Sequence, residues 1–215
     1  MDKSDMKGRD LGDEIWVNEF TEESAQEFRE ALMSEAKGDI LRPIVIYIDT
    51  YGGQIDALAK MIETMDELPN PMVTVAVGKA MSCGAVLLSH GDVRFCGTHA
   101  RIMIHEMSGG THGDVHDISA DAEEMKRLNR YFMGLLAKNC GIKGGYETLR
   151  KIIKGQDGRD NYMDAKAALE FGIVDAMGMP VVNRLKLYDV SVKPQKIKTL
   201  EKKPTKKSES KRSRK

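Results

Sequence analysis

Ser82 and His105 are the residues whose types and settings could do chemistry. Ser82 sits in the stretch Val77-Gly78-Lys79-Ala80-Met81-Ser82-Cys83-Gly84, between the β-branched run from Met72 to Val77 and the apolar run from Ala85 to Leu88. The first run has the length of a buried strand and the second suits a buried helix. A strand that turns sharply into a helix at a serine flanked by small residues presents the hydroxyl beside backbone N–H groups that favour negative charge. The plainer role for such a serine is a helix N-cap. A hydrolytic serine needs a base, a group to orient that base, and donors for an oxyanion. His105 ends the apolar stretch Arg101-Ile102-Met103-Ile104, a rigid place from which to aim an imidazole. His90 falls at a helix end, His99 in a turn, and His112 and His116 in a polar, Gly-rich region, so all four are weaker bases. Acids after His105 are numerous, and spacing alone does not choose among Asp157, Asp160, Asp164 and Asp175.

Other chemistries fit less well. His105-Glu106 begins like a metalloprotease HExxH, but Gly109 stands where the second histidine belongs. His112 and His116, with Asp114 and Asp117, are spaced like ligands on a helix turn, yet the segment reads as a solvated loop. Ser82 and Gly84 fit the GxSxG turn of the α/β-hydrolases with Ala80 at the first glycine, but there the acid precedes the histidine. Cys83, Cys96 and Cys140 are odd in number and scattered, which suggests free thiols and neither a disulfide framework nor a zinc site. No metal and no cofactor are expected.

The elements that must position these residues follow from periodicity. Glu14 to Val17 reads as a short strand, and Thr21 as the N-cap of a helix running to about Ala36. Pro43 to Asp49 has the look of a strand covered on both faces. Gly52-Gly53 after it allows positive φ and close approach of backbone N–H groups to a ligand. Ile55 to Leu68 carries a helical stripe, and Pro71 resets the chain before the strand that leads to Ser82. Strands are expected at 92–96 and 101–105, a long helix from Asp117 to Cys140, helices at 146–153 and 165–171, and a last strand at 172–175. The alternation argues for an α/β fold with mostly parallel strands, whose carboxyl-end loops carry the ligand site.

The formal charge of zero hides a split. Residues 193–215 hold 11 Lys or Arg against 2 Asp or Glu, a net of +9; the remaining 22 basic and 31 acidic residues leave −9 on positions 1–192. The expected organisation is a flexible segment at 1–14, a globular domain at 15–192 and a disordered basic tail at 193–215. That tail suits a solubilising role, or an electrostatic tether to nucleic acid or an acidic protein. With no apolar run of about 18 residues and no signal-peptide core, a cytoplasmic location without membrane contact is expected.

Three motifs carry a family likeness. Gly78 to Ala85, Arg101 to His105 and Arg159-Asp160-Asn161-Tyr162-Met163 resemble, in order and separation, the serine, histidine and aspartate motifs of the Clp protease proteolytic subunit family. Tyr47 to Gly53 resembles the strand and glycine pair before that family's first long helix, and the likeness runs from about Ile15 to Met177. The resemblance implies Ser82 as nucleophile, His105 as general base, Asp160 as orienting acid, and the backbone N–H groups of Gly53 and Cys83 as oxyanion hole. It implies a ClpP/crotonase-like spiral of ββα units, with the long helix from Asp117 as a protruding handle. It also implies a serine endopeptidase acting on extended polypeptides inside a self-compartmentalised homo-oligomer, heptameric rings stacked as a tetradecamer. An ATP-dependent unfoldase is the partner the family would supply, although only 14 residues precede Ile15 to form axial loops. A phage prohead or scaffold maturation protease of the same fold, acting without an ATPase, is the alternative. A Ser-Lys peptidase using Lys79, a crotonase-type acyl-CoA enzyme and a non-catalytic structural subunit fit less well, because all three motifs are present. Two departures stand out: Tyr51 replaces the family's proline before the glycine pair, and Glu106-Met107 replaces Gln-Pro after the histidine, which suggests a substrate groove of altered polarity.

Overall fold

The computed structural model describes residues 14–38, 40–154 and 160–181. The expected N-terminal segment up to residue 13 and the basic tail lie outside the described residues, as does Asp157. In chain order the elements are β1 (Ile15–Val17), α1 (Glu22–Glu35), β2 (Ile44–Thr50), α2 (Ile55–Glu67), β3 (Met72–Met81), α3 (Cys83–Ser89), β4 (Val93–Cys96), β5 (Arg101–Ile104), α4 (Val115–Asn139), α5 (Gly145–Lys154), β6 (Asn161–Met163), α6 (Ala165–Phe171) and β7 (Ala176–Met177). Among the described residues no helix is long and apolar enough to cross a membrane.

One seven-stranded sheet organises these elements in the order β1-β2-β3-β4-β7, with β5 joined to β3 and β6 joined to β5. Every pairing is parallel except β5 with β6. Parallel neighbours need crossovers, and α1, α2 and α3 supply them with their apolar stripes: Phe28 and Leu32, Leu58 and Met61, Leu87 and Leu88 are all buried. Thr21 caps α1 through a reciprocal box with Ser24, and Asp114 caps α4 by accepting the N–H groups of His116 and Asp117.

The strand before Ser82 is longer than expected. It runs on through Gly78-Lys79-Ala80 to Met81 and changes neighbours on the way, pairing with β4 over Val73–Ala76 and with β5 over Lys79–Met81. Two extra residues enter β3 where its register with β2 shifts from Ile48↔Ala76 to Thr50↔Ala80. Gly78, at φ +77, makes this bulge; a Cβ there would lie 3.0 Å from Asp49 Oδ1. A local propensity scan stops at such a glycine, whereas the pairing with β5 carries the strand across it.

Three other expectations change. The β2 run is not covered on both faces: Ile44, Ile46, Ile48 and Thr50 are buried, while Val45, Tyr47 and Asp49 are half-buried on the opposite face, where Trp16 stacks on Tyr47. The last strand is Ala176–Met177, because Gly172 adopts the left-handed cap of α6 and Asp175 is held by Arg94. The strand Asn161–Met163 has no periodic signature of its own and exists through its antiparallel pairing with β5. Of the 25 residues of α4 only Phe132, Met133, Leu136 and Ala137 are buried, so the helix is packed at its C-terminal end and leaves the part before it in solvent.

Candidate active site

Ser82 stands at the junction of β3 and α3 with φ 54 and ψ −118, and it is the sole non-glycine residue at positive φ among the described residues. Such a backbone costs of order 1–3 kcal/mol and persists only where its surroundings hold it. Those surroundings are visible. The Ser82 N–H donates to Met103 O at 2.9 Å, and the Ser82 carbonyl accepts from Ala85 and Val86 at 3.0 and 3.3 Å. The serine's side chain makes no capping bond, so the N-cap role is set aside and Oγ is free for another partner. That partner is His105: its Nε2 lies 2.8 Å from Oγ.

The loop Tyr51-Gly52-Gly53 lies directly against this turn. A Cβ on Gly52, at φ +107, would fall 2.7 Å from Ser82 Cβ, and one on Gly53 would fall 2.6 Å from Phe20 O. Glycine is therefore required at both positions for the loop to pass between the serine and the chain after β1. The Gly52 N–H donates to buried Thr50 Oγ1 at 3.1 Å, and the Gln54 N–H to Phe20 O at 2.8 Å, which fix the loop at both ends. Gly84 completes the fit, since a Cβ there would lie 2.5 Å from Thr50 Cγ2. The Cys83 thiol donates to Gly53 O at 3.3 Å, tying α3 to the loop, and burial raises its pKa and keeps it neutral. The N–H of Cys83, in the first turn of α3, has no intrahelical partner.

Asp160 lies just before β6. The antiparallel register pairs Ile102, Met103 and Ile104 with Met163, Tyr162 and Asn161, so its next step sets Asp160 opposite His105, on the same face of the ladder. Asp160 is exposed, and among the described residues no hydrogen bond joins it to His105. The competing acids have other work. Asp164 caps α6 by accepting the Ala167 N–H at 2.8 Å, and Asp175 forms a forked pair with Arg94 at 2.6 and 3.0 Å.

Lys79 is committed away from the serine. Its Nζ lies 2.7 Å from Asp49 Oδ1 and 4.5 Å from the centre of the Tyr51 ring. The Asp49 carboxylate holds the ammonium above the ordinary lysine range, the wrong direction for a general base. His90 pairs with Asp66 at 2.8 Å, and no cluster of three or more His, Cys, Asp or Glu among the described residues is arranged to hold a metal. A groove of about 730 Å³ between α1 and α2 is lined by Glu22, Arg29, Lys60 and Glu67 and contains neither Ser82 nor His105.

Sequence reasoning did not anticipate the Met103 carbonyl that latches the serine turn or the buried Thr50 hydroxyl that sets the glycine loop. The first is made by a strand neighbour distant in sequence; the second is local, two residues back, and gave no sign because the burial of Thr50 is set by the fold. In comparison with known families, the family model described as Clp protease matches residues 13–180.

Proposed function

Since the chain belongs to the Clp protease family, we propose that it is a serine endopeptidase whose nucleophile is Ser82, activated by His105 and oriented through Asp160. The observation that carries this reading is the 2.8 Å approach of His105 Nε2 to Ser82 Oγ on a serine held at positive φ. In this mechanism Oγ bonds to the scissile carbonyl carbon while its proton passes to Nε2, so that imidazole must begin with its proton on Nδ1. That Asp160 stands opposite His105 in the β5–β6 register supports its role as the acceptor of that Nδ1–H in the reacting complex. The oxyanion is met by the N–H groups of Gly53 and Cys83, each such donor being worth about 100- to 1000-fold in rate. The imidazolium then returns its proton to the leaving amine as the C–N bond breaks, and water repeats the sequence on the acyl-enzyme.

Polypeptides are the substrates of the family, and on this reading an extended segment docks as an added strand beside the Gly52-Gly53 loop that lies against Ser82. The family generally assembles into oligomers. For this chain, stacked rings through α4 are supported by Val115, Ile118 and Tyr131, which leave apolar surface in solvent along the handle.

A fluorophosphonate probe is expected to label Ser82. His105→Ala is expected to abolish both labelling and peptide cleavage, and Lys79→Ala to leave both near wild type. Labelling that survives His105→Ala and disappears with Lys79→Ala would transfer the base to Lys79 and overturn the assignment.

A further inference from the structure

Glu106 follows the base directly, where the sequence suggests a charge lining a substrate groove. Its carboxylate turns into the protein instead. Oε1 accepts from Arg150 Nε at 3.1 Å, from the Tyr146 hydroxyl at 3.2 Å and from Asn129 Nδ2 at 3.4 Å, and Lys154 Nζ lies 4.0 Å from Oε2. The same asparagine holds the next residue, because the Met107 N–H donates to Asn129 Oδ1 at 2.9 Å. Asn129 also donates to the Tyr146 hydroxyl at 3.2 Å. Tyr146, Arg150 and Lys154 recur every four residues, so one face of α5 is turned to this carboxylate. Arg130 of α4 lies 5.2 Å from the centre of the Tyr146 ring and pairs with Glu147 at 3.3 Å. The exit of β5, the middle of α4 and the length of α5 thus converge on Glu106.

We propose that Glu106 is a positioning residue for the catalytic pair: it locks the exit of β5 to α4 and α5 and so holds the His105 imidazole against Ser82. The inference rests on the serine peptidase reading above. Alanine at this position leaves three donors without their shared acceptor and loosens the Asn129 side chain that holds Met107. Glutamine keeps an acceptor oxygen for the same donors and gives up only the charge-assisted part of the bonds. Because α5 is the last helix before Asp160, the same lock bears on where the acid falls.

The test is steady-state cleavage of a fluorogenic peptide by the full chain, with the rate of fluorophosphonate labelling of Ser82 and the mass in solution, for Glu106→Ala, Glu106→Gln and Arg150→Met. Glu106→Ala is expected to lower kcat and the labelling rate together by about 10- to 100-fold, the loss that a displacement of about 1 Å brings to a reacting group. KM is expected to stay near wild type, and Glu106→Gln to recover most of the rate. A purely structural role would reduce the number of labelled sites and leave the rate per site unchanged, and that result overturns the proposal. Should Glu106→Ala not fold, Arg150→Met carries the test: a lowered kcat and labelling rate at unchanged KM supports the proposal, and wild-type kcat overturns it. A wild-type chain whose Ser82 is not labelled removes the peptidase reading itself and this inference with it.

Discussion

The two sides of the candidate site are held by different physics. On the Ser82 side, the turn is fixed by backbone hydrogen bonds, glycine contacts and wholly buried neighbours such as Ala80, Ala85 and Ile102. On the Asp160 side, the three residues of β6 are held to β5 alone and the polar Glu106 cluster ties the exit of β5, while the Arg94–Asp175 fork, whose Arg94 Nη1 also bridges the carbonyls of Asn139 and Gly172, ties β4 to the segment after α6. Apolar packing responds little to salt or mild acid, whereas partly exposed ion pairs weaken with both. The Ser82 turn is therefore the rigid side and the Asp160 side the adjustable one.

The largest effect expected from testing this contrast is at Asp160. If it orients His105, Asp160→Asn lowers kcat by about 10^4-fold, as loss of the orienting acid does in a Ser-His-Asp triad. The melting temperature stays unchanged, because the side chain is exposed and bears no packing. Unchanged kcat would leave Ser82 and His105 acting as a pair and break the division into two sides.

On the rigid side, Gly84→Val sharpens the contrast by damaging stability and activity together. Its new atoms meet Thr50 Cγ2, and overpacking of this kind costs about 1–3 kcal/mol. Thermal unfolding and peptide cleavage on the same sample check it; a melting temperature at the wild-type value would show that the turn is less tightly held than its contacts indicate.

The smallest effect is electrostatic. Hydrogen bonding to the Arg94 guanidinium lowers the Asp175 pKa below the usual carboxylate range. A carboxylate whose folded pKa is lowered contributes stability above its unfolded pKa of about 3.9 and loses it as pH falls through the folded value. Asp175→Asn should then destabilise the protein by no more than about 1 kcal/mol at neutral pH, since the carboxylate is partly exposed. The gap between variant and wild type should close as the solution is taken below about pH 4, which urea titrations across that range measure. A gap that persists in acid would assign the effect to packing.

Much of this was legible in the sequence. Thr21 as a cap, the α2 stripe and α6 each follow from a few adjacent residues. Ser82 and His105 could be singled out by residue type and by the elements they end. What stayed hidden is made between strands: the passage of β3 through Gly78, the three-residue β6, and the half-open face of β2 all depend on neighbours that periodicity does not see. Asp160 was chosen by likeness to a family, and the β5–β6 register supplies an independent reason for looking there. Glu106 was assigned to the wrong surface, since a charge beside a histidine reads as groove lining until its four-residue partners on α5 are known to face it.

The exchange of neighbours along β3 also has a consequence for the order of events during synthesis. The N–H that pins Ser82 in its unusual conformation reaches Met103, which is translated 21 residues later, on a strand that occupies the second half of β3. As the chain leaves the ribosome, β1 to α3 can begin to gather while Ser82 is still unlatched. The turn acquires its observed shape only after β5 has emerged and docked, and His105 follows two residues after Met103. A nascent peptidase built in this order does not bring Ser82 and His105 together until its own sheet is nearly assembled.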